Sequence, residues 1–232
     1  KWGSEGDGDG QFSGPCGIAI DKNNYIYVGD TRNSRIQKFT SDGQFIAKWG
    51  GPGSGDGQFG SPYGPRGIAI DNSGNVFVAD TDNARIQKFT SNGKFIAKWG
   101  SYGDGGSQFS YPYGIAIDKS GNIYVTDYNW VKKFTPKGEF IVKWGRGWGN
   151  EDGQFVYPCG IAMDSKGNVY IVDSGNARIQ KLTSNGKFIA KWGSRGGGDG
   201  QFVGPEGIAV DSNGDIYVAD TWNARVQKFT SN

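Results

Sequence analysis

Apolar residues in this chain fall in runs of four to six, each bounded by Gly, Asn, Asp or Pro. That is strand-and-turn punctuation, because an amphipathic helix would space its apolar positions at three and four over ten or more residues. The runs also recur. The phrase Gly-Ile-Ala-(Ile/Met/Val)-Asp begins at Gly17, Gly67, Gly114, Gly160 and Gly207, at steps of 50, 47, 46 and 47 residues. A period in the forties predicts propeller blades or helical-pair repeats. The short runs, with 41 Gly, 8 Trp, 11 Tyr and 14 Phe in 232 residues, select blades of four short strands.

The second repeat shows the order. Strand a is Gly67-Ile68-Ala69-Ile70, closed by the turn Asp71-Asn72-Ser73-Gly74-Asn75, where Gly accepts the positive φ of a tight turn. Strand b is Val76-Phe77-Val78-Ala79, and strand c runs from Arg85 to Thr90. Asn92-Gly93 is a hairpin signal leading into strand d, Phe95-Ile96-Ala97-Lys98-Trp99. In the first repeat Asn24 replaces the turn Gly, and Asn is the next most tolerant residue at positive φ. A unit this small cannot bury both faces alone, so neighbouring units stack and curl into a β-propeller.

Asp80-Thr81-Asp82-Asn83-Ala84-Arg85-Ile86-Gln87-Lys88-Phe89, preceded by Gly67-Ile68-Ala69-Ile70-Asp71 and Gly74-Asn75-Val76-Phe77-Val78, closely resembles the NHL repeat. The resemblance covers essentially the whole chain in five copies. Blade three departs from it: Asp127-Tyr128-Asn129-Trp130-Val131 is shorter and lacks the Asn-x-Arg element. NHL propellers more often have six blades. The expected fold is therefore all-β, one domain over residues 1–232, with five four-stranded antiparallel blades. Lys1-Trp2 reads as the end of a strand d, and the chain stops at Ser231-Asn232, where other copies continue into that strand. Ring closure by pairing Lys1-Trp2 with Arg225 to Thr230 is the expectation, since it removes an open edge. The alternative is an open array completed by another segment. A closed ring predicts a monomer, and an open one predicts self-assembly.

Charge narrows the partners little, with 25 basic and 23 acidic residues and a net charge of +2. No apolar stretch approaches a membrane span, so no membrane insertion is expected, and no feature indicates a compartment. Cys16 and Cys159 occupy equivalent positions in non-neighbouring blades and are expected as separate thiols. The chain has no His, which removes the commonest general base, the Ser-His and Cys-His pairs and His-ligated zinc. The chemistry of propeller lyases that resemble NHL folds relies on such residues and does not transfer. Asp7-Gly8-Asp9-Gly10 looks like a calcium loop but lacks the further spaced ligands and closing Glu, so it reads as a Gly-rich turn. No metal, cofactor or phosphate loop is expected.

Residues repeated in every blade are assigned to the fold. These are the strand b aromatics Tyr27, Phe77, Tyr124, Tyr170 and Tyr217, and the outer Trp2, Trp49, Trp99, Trp144 and Trp192. Arg35, Arg85, Arg178 and Arg225 follow Asp30, Asp80, Asp173 and Asp220 by five residues, a spacing for a structural ion pair or a carbonyl-binding Arg. Function is expected where equivalent loop positions differ, on the face carrying the d-to-a and b-to-c connections. The d-to-a loops there contribute Tyr63, Tyr102, Tyr111, Trp148 and Tyr157, with Arg146 and Arg195 among glycines. The ligand-binding candidates are Arg66, Tyr113 and Glu206 at the channel mouth, with Tyr128, Trp130 and Trp222 around it. The function expected is a non-enzymatic module binding a protein or peptide, with a glycan as a variant. A self-assembling scaffold without a dedicated ligand is the alternative. Single-stranded nucleic acid is a lesser one, because the lysines spread evenly round the rim.

Overall fold

The computed structural model describes residues 1–145 and 147–230. Arg146, Ser231 and Asn232 lie outside the described residues. Contacts divide the chain into two compact units, Lys1–Ile117 and Asp118–Asn232.

The chain is an all-β, five-bladed propeller. In the first unit, blade one comprises strand a (Pro15–Ile20), strand b (Ile26–Asp30), strand c (Arg35–Phe39) and strand d (Phe45–Gly50). Blade two comprises Pro65–Ile70, Val76–Asp80, Arg85–Phe89 and Phe95–Trp99. Strand a of blade three, Pro112–Ile117, also lies here. The second unit holds strands b, c and d of blade three (Ile123–Asp127, Trp130–Phe134 and Phe140–Trp144). Blade four is Pro158–Met163, Val169–Asp173, Arg178–Leu182 and Phe188–Trp192. Blade five has three strands, Pro205–Val210, Ile216–Asp220 and Arg225–Phe229. Pairing is antiparallel in sequence order within blades one, two, four and five. Strand a of blade two starts at Pro65 rather than the expected Gly67, because a register irregularity between Pro65 and Ile68 extends the pairing by two residues. Asn24 holds the turn φ at 63°, as expected for a Gly substitute.

Hydrophobic burial is between blades. Tyr27 and Ile36 of blade one pack with Ile68, Val76, Val78 and Phe89 of blade two. In the second unit, Tyr170, Val172 and Ile179 of blade four pack with Ile216 and Val218 of blade five. The recurrent Gly that opens each Gly-Ile-Ala phrase sits at this contact. A Cβ on Gly17 would overlap the carbonyl of Arg66, one on Gly67 that of Tyr113, and one on Gly160 that of Glu206. Thr31 and Thr81 add hydroxyl hydrogen bonds of 2.7 Å to the carbonyls of Pro65 and Pro112 in the next blade.

In blade one, strand d closes on the following blade through its Trp. Trp49 stands edge-on to Tyr27 of its own blade, with centroids 6.2 Å apart, and lies 6.1 Å from Phe89 of the next. Its ring also covers Gly93, where φ is +81° and an added Cβ would meet the indole at 2.6 Å. The hairpin Gly is thus required twice, by the turn and by the neighbour.

Among the described residues blade five comprises strands a to c, and Lys1 and Trp2 belong to no strand. Trp2 lies 4.5 Å from Phe39 and 5.9 Å from Phe12, and over Gly43, the seat that Trp49 takes on Phe89 and over Gly93.

At the a-to-b turns, buried or half-buried aspartates organise the backbone. Burial by itself would raise the pKa of Asp164, but hydrogen bonds from the Asn168 side chain and backbone, the Tyr170 hydroxyl and the Lys166 N–H outweigh it and hold the carboxyl below its ordinary value. Asp118 is depressed in the same way through Asn122 and Tyr124. An unfolded Asp titrates near about 3.9, so these groups stabilise the fold above that pH, and the contribution is lost as pH falls through the folded pKa. Asp164→Asn should therefore be less stable than the parent at neutral pH, with the gap narrowing below about pH 4. Urea unfolding across pH checks this, and a gap independent of pH would refute it.

Gly67→Ala should cost about 1–3 kcal/mol through overpacking. Gly207→Ala should cost less, because the nearest atom to its added Cβ is the Ala219 side chain at 3.3 Å. Parallel urea titrations of the two variants measure the difference.

Candidate ligand-binding loop surface

Four fully buried aspartates fix the loops at the d-to-a and b-to-c end of their blades. In blade two, Asp80 accepts hydrogen bonds from Arg85 Nε (2.6 Å), Asn83 Nδ2 (3.0 Å), Gln87 Nε2 (3.0 Å) and the backbone N–H of Gly60 (2.8 Å). Arg85 then donates from Nη1 to Ser54 O (2.6 Å) and from Nη2 to Gly55 O and Gln58 O (both 2.8 Å). The same set recurs around Asp30, Asp173 and Asp220. The two readings of the Asp-to-Arg spacing, ion pair and carbonyl binding, are both realised by one planar guanidinium.

The Gly-Asp-Gly segments belong to this network. Gln58 Oε1 receives the Gly55 N–H at 2.9 Å, and Gln87 Oε1 receives that of Gly57 at 3.0 Å. Asp9, Asp56 and Asp152 form exposed ion pairs with Lys48, Lys98 and Lys191 at 2.6–2.7 Å. Much of the regular rim lysine charge is therefore locally balanced.

Blade three meets the same requirement differently. Asp127 pairs in register with Trp130, as Asp80 does with Arg85, so the Arg position is Trp. The cation moves to Lys132, which occupies the Gln87 position and places Nζ 2.7 Å from Asp127 Oδ2 with its side chain fully buried. Sequence reading registered the missing Arg but not the replacement. Aligning Lys132-Lys133-Phe134 with Gln87-Lys88-Phe89 from the strand's end would have revealed it. Lys132→Met should destabilise by about 3–5 kcal/mol, since it strips the ammonium from a buried carboxylate. The urea midpoint measures the loss.

On these fixed loops the variable side chains form groups within each unit. In the first unit, the Arg66 guanidinium lies 4.6 Å from the ring of Tyr113, 5.2 Å from Tyr63 and 5.3 Å from Tyr111. Its Nη2 donates to the Tyr111 hydroxyl at 3.1 Å, and its buried Nε has no hydrogen-bond partner. Burial works against the charge, but Tyr113, Tyr111 and the nearby Cys16 more than offset it, raising the pKa. Among the described residues no carboxylate pairs with Arg66. Arg35, Arg85, Arg178 and Arg225 each have an aspartate within 2.8 Å. Cys16 is exposed, with Sγ 3.6 Å from the Tyr113 hydroxyl, and Cys159 is buried.

In the second unit, Tyr128, Trp148 and Tyr157 form an exposed cluster with ring centroids 4.9–5.7 Å apart. Trp222 is 77% exposed and lies over Gly204, beside a cleft of about 290 Å³ lined by Arg195, Phe202 and Val203. Trp130 opens strand c of blade three beneath Lys143, whose Nζ is 4.0 Å from the ring centroid. Glu206 lies in strand a of blade five. The structure thus brings Arg66 and Tyr113 together and places Tyr128 with Trp148 and Tyr157, which were noted in the sequence only as loop aromatics. Tyr63 and Tyr111, also noted only in that way, complete the Arg66 group. Among the described residues, no group of His, Cys, Asp and Glu is placed to hold a metal ion.

A family profile described as the NHL repeat matches residues 12–39, 63–89, 155–182 and 202–229, and one described as a beta-propeller repeat matches 102–126. Among characterised proteins, the chain is 48% identical over 48 residues to E3 ubiquitin-protein ligase TRIM71 of Rattus norvegicus, covering 21% of this chain and 6% of that protein. Similarity to protein lin-41 of Caenorhabditis elegans is 45% over 47 residues, covering 20% and 4%. These alignments reach only a small fraction of the relatives' length. Among solved structures, a streptogramin B lyase superposes with TM-score 0.65 at 18% identity, covering 93% of this chain and 68% of that one. Virginiamycin B lyase from Staphylococcus aureus does so with TM-score 0.62 at 15% identity, covering 93% and 69%. At such identity the likeness is one of fold.

Proposed function

Because the chain is an NHL-repeat β-propeller, we propose that it works as a non-enzymatic binding module whose variable loops receive a protein or peptide presenting an acidic side chain. The observation that supports this reading is Arg66, a guanidinium framed by three tyrosine rings and lacking a carboxylate partner among the described residues. A carboxylate meets a planar fork there, in a partly desolvated setting where a charge-assisted bond gains strength. Tyr and Arg are also the side chains that most often anchor protein interfaces. Network-locked loops keep the ordering cost of binding low. Exposed rings at Trp222 and in the Tyr128 cluster favour a glycan as the second ligand class, through stacking.

The non-enzymatic part rests on the absence of histidine from the sequence. One of the fold neighbours, a virginiamycin B lyase, is described as catalytically inactive after a single histidine-to-alanine change. Nucleic acid has less support, since Lys48, Lys98 and Lys191 are paired with aspartates. No helix among the described residues is long and apolar enough to cross a membrane.

Peptides selected from a displayed library against the purified chain should be rich in Asp or Glu. For one such peptide, Arg66→Ala should weaken Kd by tenfold or more, about 1.4 kcal/mol, and Arg66→Lys should recover only part of the loss. Selected peptides without acidic residues, or an unchanged Kd for Arg66→Ala, would overturn the assignment.

A further inference from the structure

At the end of the blades opposite the variable loops, blades one and two of the first unit enclose a cleft of about 350 Å³. Its walls include Asp21, Tyr25, Lys38 and Ile46 of blade one, with Ser73 and Asn92 of blade two. Small-molecule sites have volumes of about 300–1,000 Å³.

Blade one departs from its neighbours here at Tyr25. In blades two to four the residue at that position is Asn75, Asn122 or Asn168, which donates from Nδ2 to Oδ2 of Asp71, Asp118 or Asp164 at 2.7–2.8 Å. Tyr25 makes no such bond. Among the described residues, Asp21 Oδ2 receives only the Tyr27 hydroxyl at 3.1 Å, and that single proton is shared with the Ser91 carbonyl at 3.3 Å. Asp21 is 8% exposed, so a buried carboxylate oxygen is left short of a donor.

Lys38 shows the complementary shortage. Lys88 and Lys181 have Asp71 and Asp164 at 3.9 and 4.0 Å, whereas among the described residues no carboxylate lies within ion-pair distance of Lys38. It is buried, with Nζ 4.3 Å from the centroid of the Tyr25 ring and one hydrogen bond, to Ser91 O at 3.1 Å. An ammonium has three donors. Asp21 and Lys38 thus line one cleft beyond pairing distance, with room for a small group between them.

A hydroxyl answers both, because one atom accepts from the ammonium and donates to the carboxylate. An anionic ligand would satisfy Lys38 and be repelled by Asp21, and an amine would do the reverse. Tyr25, half-buried, and Ile46, 42% exposed, give the cleft an apolar wall. The Ser73 hydroxyl and the Asn92 amide, which have no hydrogen-bond partner among the described residues, add polar groups across from it. A ring with hydroxyls at its edge and C–H groups on its faces matches both kinds of wall. We propose that this cleft is a binding site for a neutral monosaccharide, one hydroxyl bridging Lys38 Nζ and Asp21 Oδ2 while the C–H face rests on Tyr25 and Ile46.

Saturation-transfer NMR of the purified chain with D-glucose, D-galactose, D-mannose and N-acetyl-D-glucosamine should find at least one that binds, with a saturable titration. Tyr25→Asn restores the residue of blade two, supplying a donor to Asp21 and removing the apolar wall. It should keep or raise the urea midpoint and weaken that sugar's Kd about tenfold or more. Ser73→Trp, at an exposed position across the cleft, should block binding without moving the midpoint. Acetate and inorganic phosphate should not compete. No saturable binding by any of the four sugars would overturn the proposal, and so would competition by either anion. Binding that survives both folded variants would place the sugar elsewhere, such as at the exposed loop rings, and would overturn it too. Arg66→Ala should leave the sugar's Kd unchanged, so the peptide-binding reading stands or falls separately.

Discussion

The structure depends on a carboxylate taken out of water at the end of strand b. Burying an ion costs several kcal/mol unless its lone pairs are met and its charge is balanced. Asp30, Asp80, Asp173 and Asp220 meet both conditions with the same donors: an Arg, an Asn, a Gln and a loop N–H. The satisfaction passes outward, since the Arg fork then holds the carbonyls of the Gly-rich connection. A segment composed mainly of glycine, which would otherwise have the greatest freedom to lose, is thereby given one shape. Variable side chains are displayed from that shape.

A second constraint runs between blades. The stacking distance is set where Gly17, Gly67 and Gly160 admit the next backbone, and the orientation is set where a Trp covers the hairpin Gly of its neighbour. Each blade is specified by its contact with the adjoining blade, as in other repeat proteins. The buried area of a given blade then reports its neighbours more than its own sequence. Phe229 is the same residue type as Phe89, yet it is only half-buried where Phe89 is fully buried, because in blade two Phe95 of strand d covers it.

Much of this was legible in the sequence. Alternating runs bounded by Asn-Gly and Asp-x-x-Gly gave strands b to d within a residue of their observed bounds, and the repeated Asp-to-Arg spacing was a true ion pair. What escaped depends on contacts between repeats. The opening Gly of strand a reads as turn punctuation until the neighbouring carbonyl is seen. Lys132 reads as one more strand c lysine until the register puts it opposite Val125 and toward Asp127. The loop tyrosines could be listed individually, but only the folded first unit brings Tyr63, Tyr111 and Tyr113 around one guanidinium.

Blade three shows how the two levels are connected. Moving the cation from the Arg position to Lys132 still neutralises the buried aspartate, but an ammonium has no planar fork with which to hold a glycine loop. The connection into blade four is held, as in the other blades with an Arg, by the Arg of its own blade, with Arg178 bonding the carbonyls of Asn150, Glu151 and Gln154. In the shortened b-to-c turn of blade three Tyr128 adopts a left-handed φ of 50°, as Ser34, Ala84, Ala177 and Ala224 do at the corresponding turns. There it packs with Trp148 and Tyr157, and its backbone carbonyl accepts the Tyr157 N–H at 3.0 Å. The blade that departs most from the repeat thus carries exposed rings in its b-to-c turn while its buried aspartate keeps a cation partner, the constraint it shares with the other four blades.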